Sequence, residues 1–176
     1  MSAVYDFNKQ LAASQTDEVH TLVRRIMFEK FAGELLNIHQ SHPDNDKRGA
    51  DYILEFRNGK CENLDVKSRE KDYYPMPNVA LEYRTGNKDG WTIDIDKLTD
   101  WILFLYIDTE RASLHHARML RVSAREHRDQ WQQSHQQSTQ VSNGGYSSPC
   151  VYMTDRELWA AEYKHFAYQA PLNGTR

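Results

Sequence analysis

The stretch Gly49-Ala50-Asp51-Tyr52-Ile53-Leu54-Glu55-Phe56-Arg57-Asn58-Gly59-Lys60-Cys61-Glu62-Asn63-Leu64-Asp65-Val66-Lys67-Ser68 decides how the chain is read. Ala50, Tyr52, Leu54 and Phe56 fall on one face and Asp51, Ile53 and Glu55 on the other, the two-residue period of a β-strand. Arg57-Asn58-Gly59-Lys60 interrupts that alternation with a turn, because Asn-Gly accepts the positive φ that a tight hairpin requires. A second strand, Cys61 to Lys67, then returns beside the first. Asp65 and Lys67 are two residues apart and share one face of it. Asp51 opens the first strand, level with the end of the second. A local hairpin therefore gathers Asp51, Asp65 and Lys67 at one end of a sheet. Two converging carboxylates repel, raise each other's pKa and are relieved by a hard divalent cation. A neighbouring lysine can orient or deprotonate a water, or stabilise charge developing on a phosphate.

An Asp on one strand followed by Asp/Glu-x-Lys on the next resembles the PD-(D/E)xK nuclease superfamily. Asp51 matches the first acid, and Asp65-Val66-Lys67 matches the second motif in its Asp form. The proline of the family name is missing, since Ala50 precedes Asp51. The resemblance implies an α/β, restriction-endonuclease-like fold with an αβββαβ core, a mixed central sheet flanked by helices. It implies a metal-dependent nuclease hydrolysing phosphodiester bonds in DNA, of the phage or bacterial recombination, repair or resolution type. In that reading Asp51, Asp65 and Glu18 hold Mg²⁺, for which Mn²⁺ substitutes, and the Val66 carbonyl is a further oxygen ligand. Lys67 positions or activates the attacking water. A homodimer follows if two strands are cut. The alternative is a catalytically inactive nuclease-fold accessory factor that binds nucleic acid or protein.

The glutamate is sought on the helix before the hairpin. Thr16-Asp17-Glu18 reads as a helix start, an N-cap followed by acids that favour the positive end of the helix dipole. Val19, Leu22, Val23, Ile26, Met27, Phe31, Leu35 and Ile38 extend the helical period to about residue 39. Phe7 and Leu11 ahead of this helix resemble the lead-in of phage and bacterial members, which favours Glu18 over Glu29 and Glu34. His20 reads as a surface or packing residue. His39 to Arg48 is polar and is expected to be a loop, so its Pro43-Asp44 is set aside as a motif.

Past the hairpin, Arg69, Lys71, Tyr73 and Tyr74 are placed in a loop at the mouth of the site, where they would meet phosphates or bases. Asn78 to Arg84 is expected as the third strand of the meander. The succession of Asn78, Glu82, Gly86 to Gly90 and Leu98-Thr99-Asp100-Trp101 resembles further family elements, which makes Asn78 and Glu82 supporting residues. Asp94 to Thr99 is expected as a short helix, and Trp101 to Ile107 as a strand buried on both faces at the centre of a mixed sheet. Leu114 to Val122 reads as another strand, and Ser123 to Gln133 as a helix opened by the capping box Ser123-x-x-Glu126. Arg118, Arg121 and Arg125 lie in the most basic part of the chain and are the candidate DNA-backbone surface. Residues 134–148 are expected as a mobile loop, Pro149 to Met153 as a short edge strand, and Thr154 as the cap of a helix reaching Phe166. The single domain is drawn over residues 1–169, with residues 170–176 as a disordered tail.

The chain has 176 residues, 27% of them charged, and a net charge of −3, which by itself does not advertise nucleic acid. Two cysteines make no disulfide framework or zinc site, and a reduced cytoplasmic setting is the simple expectation. No apolar run approaches the ~20 residues that span a membrane.

Overall fold

The computed structural model describes residues 16–70, 72, 78–82, 84–85, 87–91, 94, 96–108, 113–121, 139–142, 147–154, 164–166 and 170–171. Helix α1 (Asp17–Lys30) starts where expected: Thr16 is its N-cap, and the Thr16 hydroxyl accepts from the Val19 amide at 3.3 Å. Val19, Leu22, Val23, Ile26 and Met27 form its buried face. The helix stops at Lys30, however, well short of residue 39. The Phe31 amide closes the last turn on the Met27 carbonyl, Gly33 takes a φ of +81°, and Leu35–Gln40 becomes strand β1. Leu35 and Ile38 are three apart, as on a helix, and both are buried. A register shift between Leu35 and Asn37 makes that spacing compatible with a strand, because the bulge offsets the alternation by one residue and leaves Leu36 exposed.

The expected loop from His39 to Arg48 is corrected: residues 39–40 end β1, and a short helix, α2 (Pro43–Asp46), leads to the hairpin, with proline in its first turn, where a missing amide costs nothing. Strands β2 (Tyr52–Phe56) and β3 (Cys61–Glu70) form the expected hairpin, with Gly59 supplying the positive φ of its turn at +82°, but β3 runs past Lys67, so Arg69, expected in a loop, is strand. Strand β7 (Trp101–Asp108) lies beside β3 in parallel, and β8 (Ser113–Arg121) runs antiparallel to β7. Two short strands, β11 (Lys164–Phe166) and β12 (Ala170–Pro171), both pair with β8. Among the described residues the result is a mixed seven-stranded sheet in the order β1-β2-β3-β7-β8-β11, with β12 also on β8. Every residue of β7 is buried, as its unbroken apolar run requires. Tyr52, Leu54, Phe56, Leu64, Leu103 and Leu105 pack with α1 in the core, together with Val66 at its margin. Asp65 and Lys67 alternate with these residues and so point to the opposite face of the sheet.

Several other expectations are corrected. Strand β4 (Asn78–Glu82) does not continue the meander; it pairs with β10 (Ser147–Thr154), which also pairs with β9 (Thr139–Ser142), in a separate three-stranded sheet. β10 is thus flanked on both sides and is not an edge strand, and residues 139–142 and 147–148 of the expected mobile loop are strand. β5 (Arg84–Thr85) and β6 (Lys88–Asp89) form a small hairpin of their own. The described part of residues 94–99 is turn and extended chain, with the Asp94 amide on the Gly90 carbonyl, and not a helix. Lys164–Phe166 is strand where the end of a helix was expected, and Ala170–Pro171 joins the sheet although a disordered tail was expected. The expected helix over Ser123 to Gln133 and the body of the one after Thr154 lie outside the described residues. Among the described residues, no helix is long and apolar enough to cross a membrane. Cys61 is exposed, Cys150 is buried, and both thiols are free.

Candidate active site

The site forms where β2 and β3 part. Their last paired residues are Tyr52 and Leu64, and the Asp51 amide extends the ladder by one bond to the Leu64 carbonyl at 2.9 Å. Beyond that point the Val66 amide is held by the Asp51 side chain, donating to Oδ2 at 2.6 Å. Asp51 therefore caps the diverging strand as well as facing its motif. Asp65 is 2% exposed, and Lys67 Nζ stands 2.9 Å from its Oδ2. The contact is an ion pair by distance, yet no hydrogen-bond donor is aligned on that buried oxygen among the described residues. Asp51, Asp65, Val66 and Lys67 are thus brought together as the spacing predicts.

The electrostatics follow from this packing. Burial raises the Asp51 pKa first, a hydrogen bond with the Asp46 carboxyl raises it further, and the Asp65 charge adds to both. The Val66 amide and Lys67 pull the other way without winning, and the carboxyl is pushed up to about 8. For Lys67, burial alone would lower the pKa, but its close ion pair with Asp65 and the charge of Asp51 outweigh it, against a smaller opposing effect of Arg69. The net shift is upward, so Lys67 is an ammonium at neutral pH.

The wall of the site comes from residues 96–100. Thr99 donates its hydroxyl to the Gly49 carbonyl at 2.6 Å, the Leu98 amide binds the Arg48 carbonyl at 2.9 Å, and Lys97 Nζ reaches the Lys47 carbonyl at 2.8 Å. Asp100 fixes the same segment to β3 by accepting from the Asn63 amide at 2.8 Å. Gly49 has a φ of +77°, and a Cβ there would lie 2.5 Å from Thr99 Oγ1 and 3.8 Å from Asp65 Oδ2. Only glycine suits this place.

The other expected residues are not all gathered. Glu18 is exposed on the first turn of α1, and no three His, Cys, Asp or Glu side chains form a metal-holding group among the described residues. Its neighbour His20 instead bonds the Tyr52 hydroxyl, tying α1 to β2. Glu82 is half-buried opposite Cys150. Burial and then Glu82 push that thiol up to about 11, while Arg69 lowers it. Asn78 begins β4, but its side chain is outside the described set. Arg118, expected on a DNA-facing surface, is only 4% exposed, and its guanidinium lies 5.2 Å from the centre of the Tyr106 ring. It therefore belongs to the packed interior of the site face, in register with Phe104 and Lys67. The side chain of Arg121, together with Lys71, Tyr73 and Arg125, lies outside the described residues.

Sequence reasoning missed Asp46, Gly49 and Thr99. Asp46 was concealed in a polar run, Asp44-Asn45-Asp46, whose composition signals only a loop. A buried carboxylate oxygen without an aligned donor, beside a second carboxyl with a raised pKa, fits a hard cation held by oxygens. No protein-family model, curated protein or solved structure matches the chain.

Proposed function

We propose that the chain is a divalent-metal-dependent nuclease that hydrolyses phosphodiester bonds, with DNA as its substrate, of the PD-(D/E)xK type. The observation that carries this reading is the convergence of Asp51 and Asp65 where β2 and β3 part, with Lys67 paired to Asp65 at 2.9 Å. The order α1, β1, β2, β3 and then β7 parallel to β3 supports a restriction-endonuclease-like core, although the helix between β3 and β7 has no counterpart among the described residues. A cytoplasmic, phage or bacterial setting belongs to the same proposal.

Asp51 and Asp65 would hold Mg²⁺, with Mn²⁺ as substitute and the Val66 carbonyl as a further oxygen ligand. Bound there, the ion would polarise a phosphoryl oxygen and lower the pKa of a water. The protein's own part is positional and electrostatic. Asp65 keeps Lys67 charged and oriented, and the ammonium suits the negative charge that grows on the phosphoryl oxygens during in-line attack. Its raised pKa makes it a poor general base at neutral pH. Arg69, next but one along the same strand face, would bind an adjoining phosphate. Glu82 and Asn78 would support the far end of this row, and a homodimer would place two such sites on a duplex.

The exposure of Glu18 favours a second reading, a nuclease-fold factor that binds without cutting. A panel of supercoiled, linear, single-stranded and branched DNA plus RNA, incubated with Mg²⁺, Mn²⁺ or EDTA, separates the two. The nuclease cuts at least one substrate in a metal-dependent way, and Lys67→Ala lowers the rate about 100-fold or more. Metal binding with no cutting across the panel gives the second reading.

A further inference from the structure

We infer that Asp46 is the third carboxylate of the site, reaching the divalent cation of Asp51 and Asp65 through one of its bound waters. This rests on the metal-dependent reading above and identifies an acid that neither the motif nor the helix glutamate supplies.

The turn from α2 to β2 carries the argument. The Gly49 amide binds the Asp46 carbonyl at 2.8 Å, the Ala50 amide binds the Asn45 carbonyl at 3.1 Å, and Gly49 reverses the chain with its positive φ. The chain doubles back so tightly that the Asp46 carboxyl hydrogen-bonds that of Asp51. Asp65 approaches from beneath the same turn, because its Oδ2 is 3.8 Å from the point a Gly49 Cβ would occupy. Asp65 is 2% exposed, and that oxygen has no aligned donor among the described residues. One turn thus brings the Asp46 carboxyl to Asp51 and lies over the buried Asp65 oxygen, which has Lys67 Nζ at 2.9 Å and no aligned hydrogen-bond donor among the described residues.

Among the described residues no three acids form a metal-holding group, so Asp46 is assigned to a bound water of the ion and not to the ion itself. Asp46 is exposed at the rim while Asp65 is buried at the base. A cation entering from solvent would meet Asp46 first and come to rest on Asp51 and Asp65. Mg²⁺ retains several waters when bound by few carboxylates, and such a water is what Asp46 at the rim would accept from. Outer carboxylates of this kind change metal affinity about 10–100-fold. Glu18, by contrast, is exposed on the first turn of α1.

The test is calorimetric titration of the full chain with Mg²⁺, repeated with Mn²⁺, for wild type, Asp46→Asn, Asp46→Glu, Glu18→Gln, Asp51→Asn and Asp65→Asn. Asp46→Asn is expected to weaken binding about 10-fold or more, Asp46→Glu to recover most of it, and Glu18→Gln to change nothing. Thermal melting of each metal-free variant separates a loss of affinity from a loss of fold. Asp46→Asn within twofold of wild type, while Asp51→Asn and Asp65→Asn lose binding, overturns the inference and leaves the proposed function standing. Unchanged binding in Asp51→Asn and Asp65→Asn, or none in wild type, removes both.

Discussion

Asp51 titrates far above its ordinary range, and that has a consequence for stability. Burial, the Asp46 hydrogen bond and the Asp65 charge push its pKa from 3.8 to about 8 in the metal-free fold. In the unfolded chain the carboxyl ionises near 3.8, so across that window the folded state holds a proton that the unfolded state has lost. The contribution is fully present below pH 3.8 and is lost as pH rises through about 8. Urea unfolding of metal-free wild type and Asp51→Asn, compared across this window, should show the wild type losing stability relative to the variant as pH rises. Equal slopes for the two would mean that Asp51 titrates as an exposed carboxylate. The placement of Asp51 and Asp65 was legible because a hairpin is local, and spacing alone sets which side chains share its end. The burial of Arg118 was not legible. A charged residue in an alternating strand normally faces water, and the ring of Tyr106 that covers this one comes from a different strand.

At the level of elements, the decisive feature is the clamp between the Asp46–Asp51 turn and residues 96–100. Gly49 and Gly59 both take positive φ, at +77° and +82°, but only Gly49 is crowded. Gly59→Ala should cost about 1–2 kcal/mol, the conformational penalty alone. Gly49→Ala should cost about 2–4 kcal/mol, since its Cβ would also meet Thr99 Oγ1 at 2.5 Å. Chemical denaturation of the two variants checks the difference, and equal losses would mean that the clamp carries no strain of contact. The same scale explains the misread of β1. Its bulge lets Leu35 and Ile38 face the core together, and that spacing imitates a helix, so periodicity ran on through Gly33. Gly33, at a φ of +81°, was the available signal that α1 had ended.

Across the whole molecule, the apolar pattern identified β7 as central but could not choose its partners. β3 pairs with β7 in parallel, whereas β4, next in sequence, crosses to β10 in another sheet. Strand periodicity records which residues face a core and carries no address for a neighbour far along the chain. That is why the site, built on one hairpin, was foreseen more fully than the sheet that supports it. The supporting architecture nevertheless serves the site: α1 and the core hold one face of β3, leaving the acid, ammonium and guanidinium of Asp65, Lys67 and Arg69 on the other. The measurement that bears most directly on this account is the rate of DNA cleavage against Mg²⁺ concentration for wild type and Asp65→Asn, with folding checked by circular dichroism. The account expects a saturable rise for wild type, abolished by EDTA, and a loss of about 100-fold or more in Asp65→Asn at saturating metal. Cleavage that persists in EDTA, or that Asp65→Asn leaves intact, would contradict it.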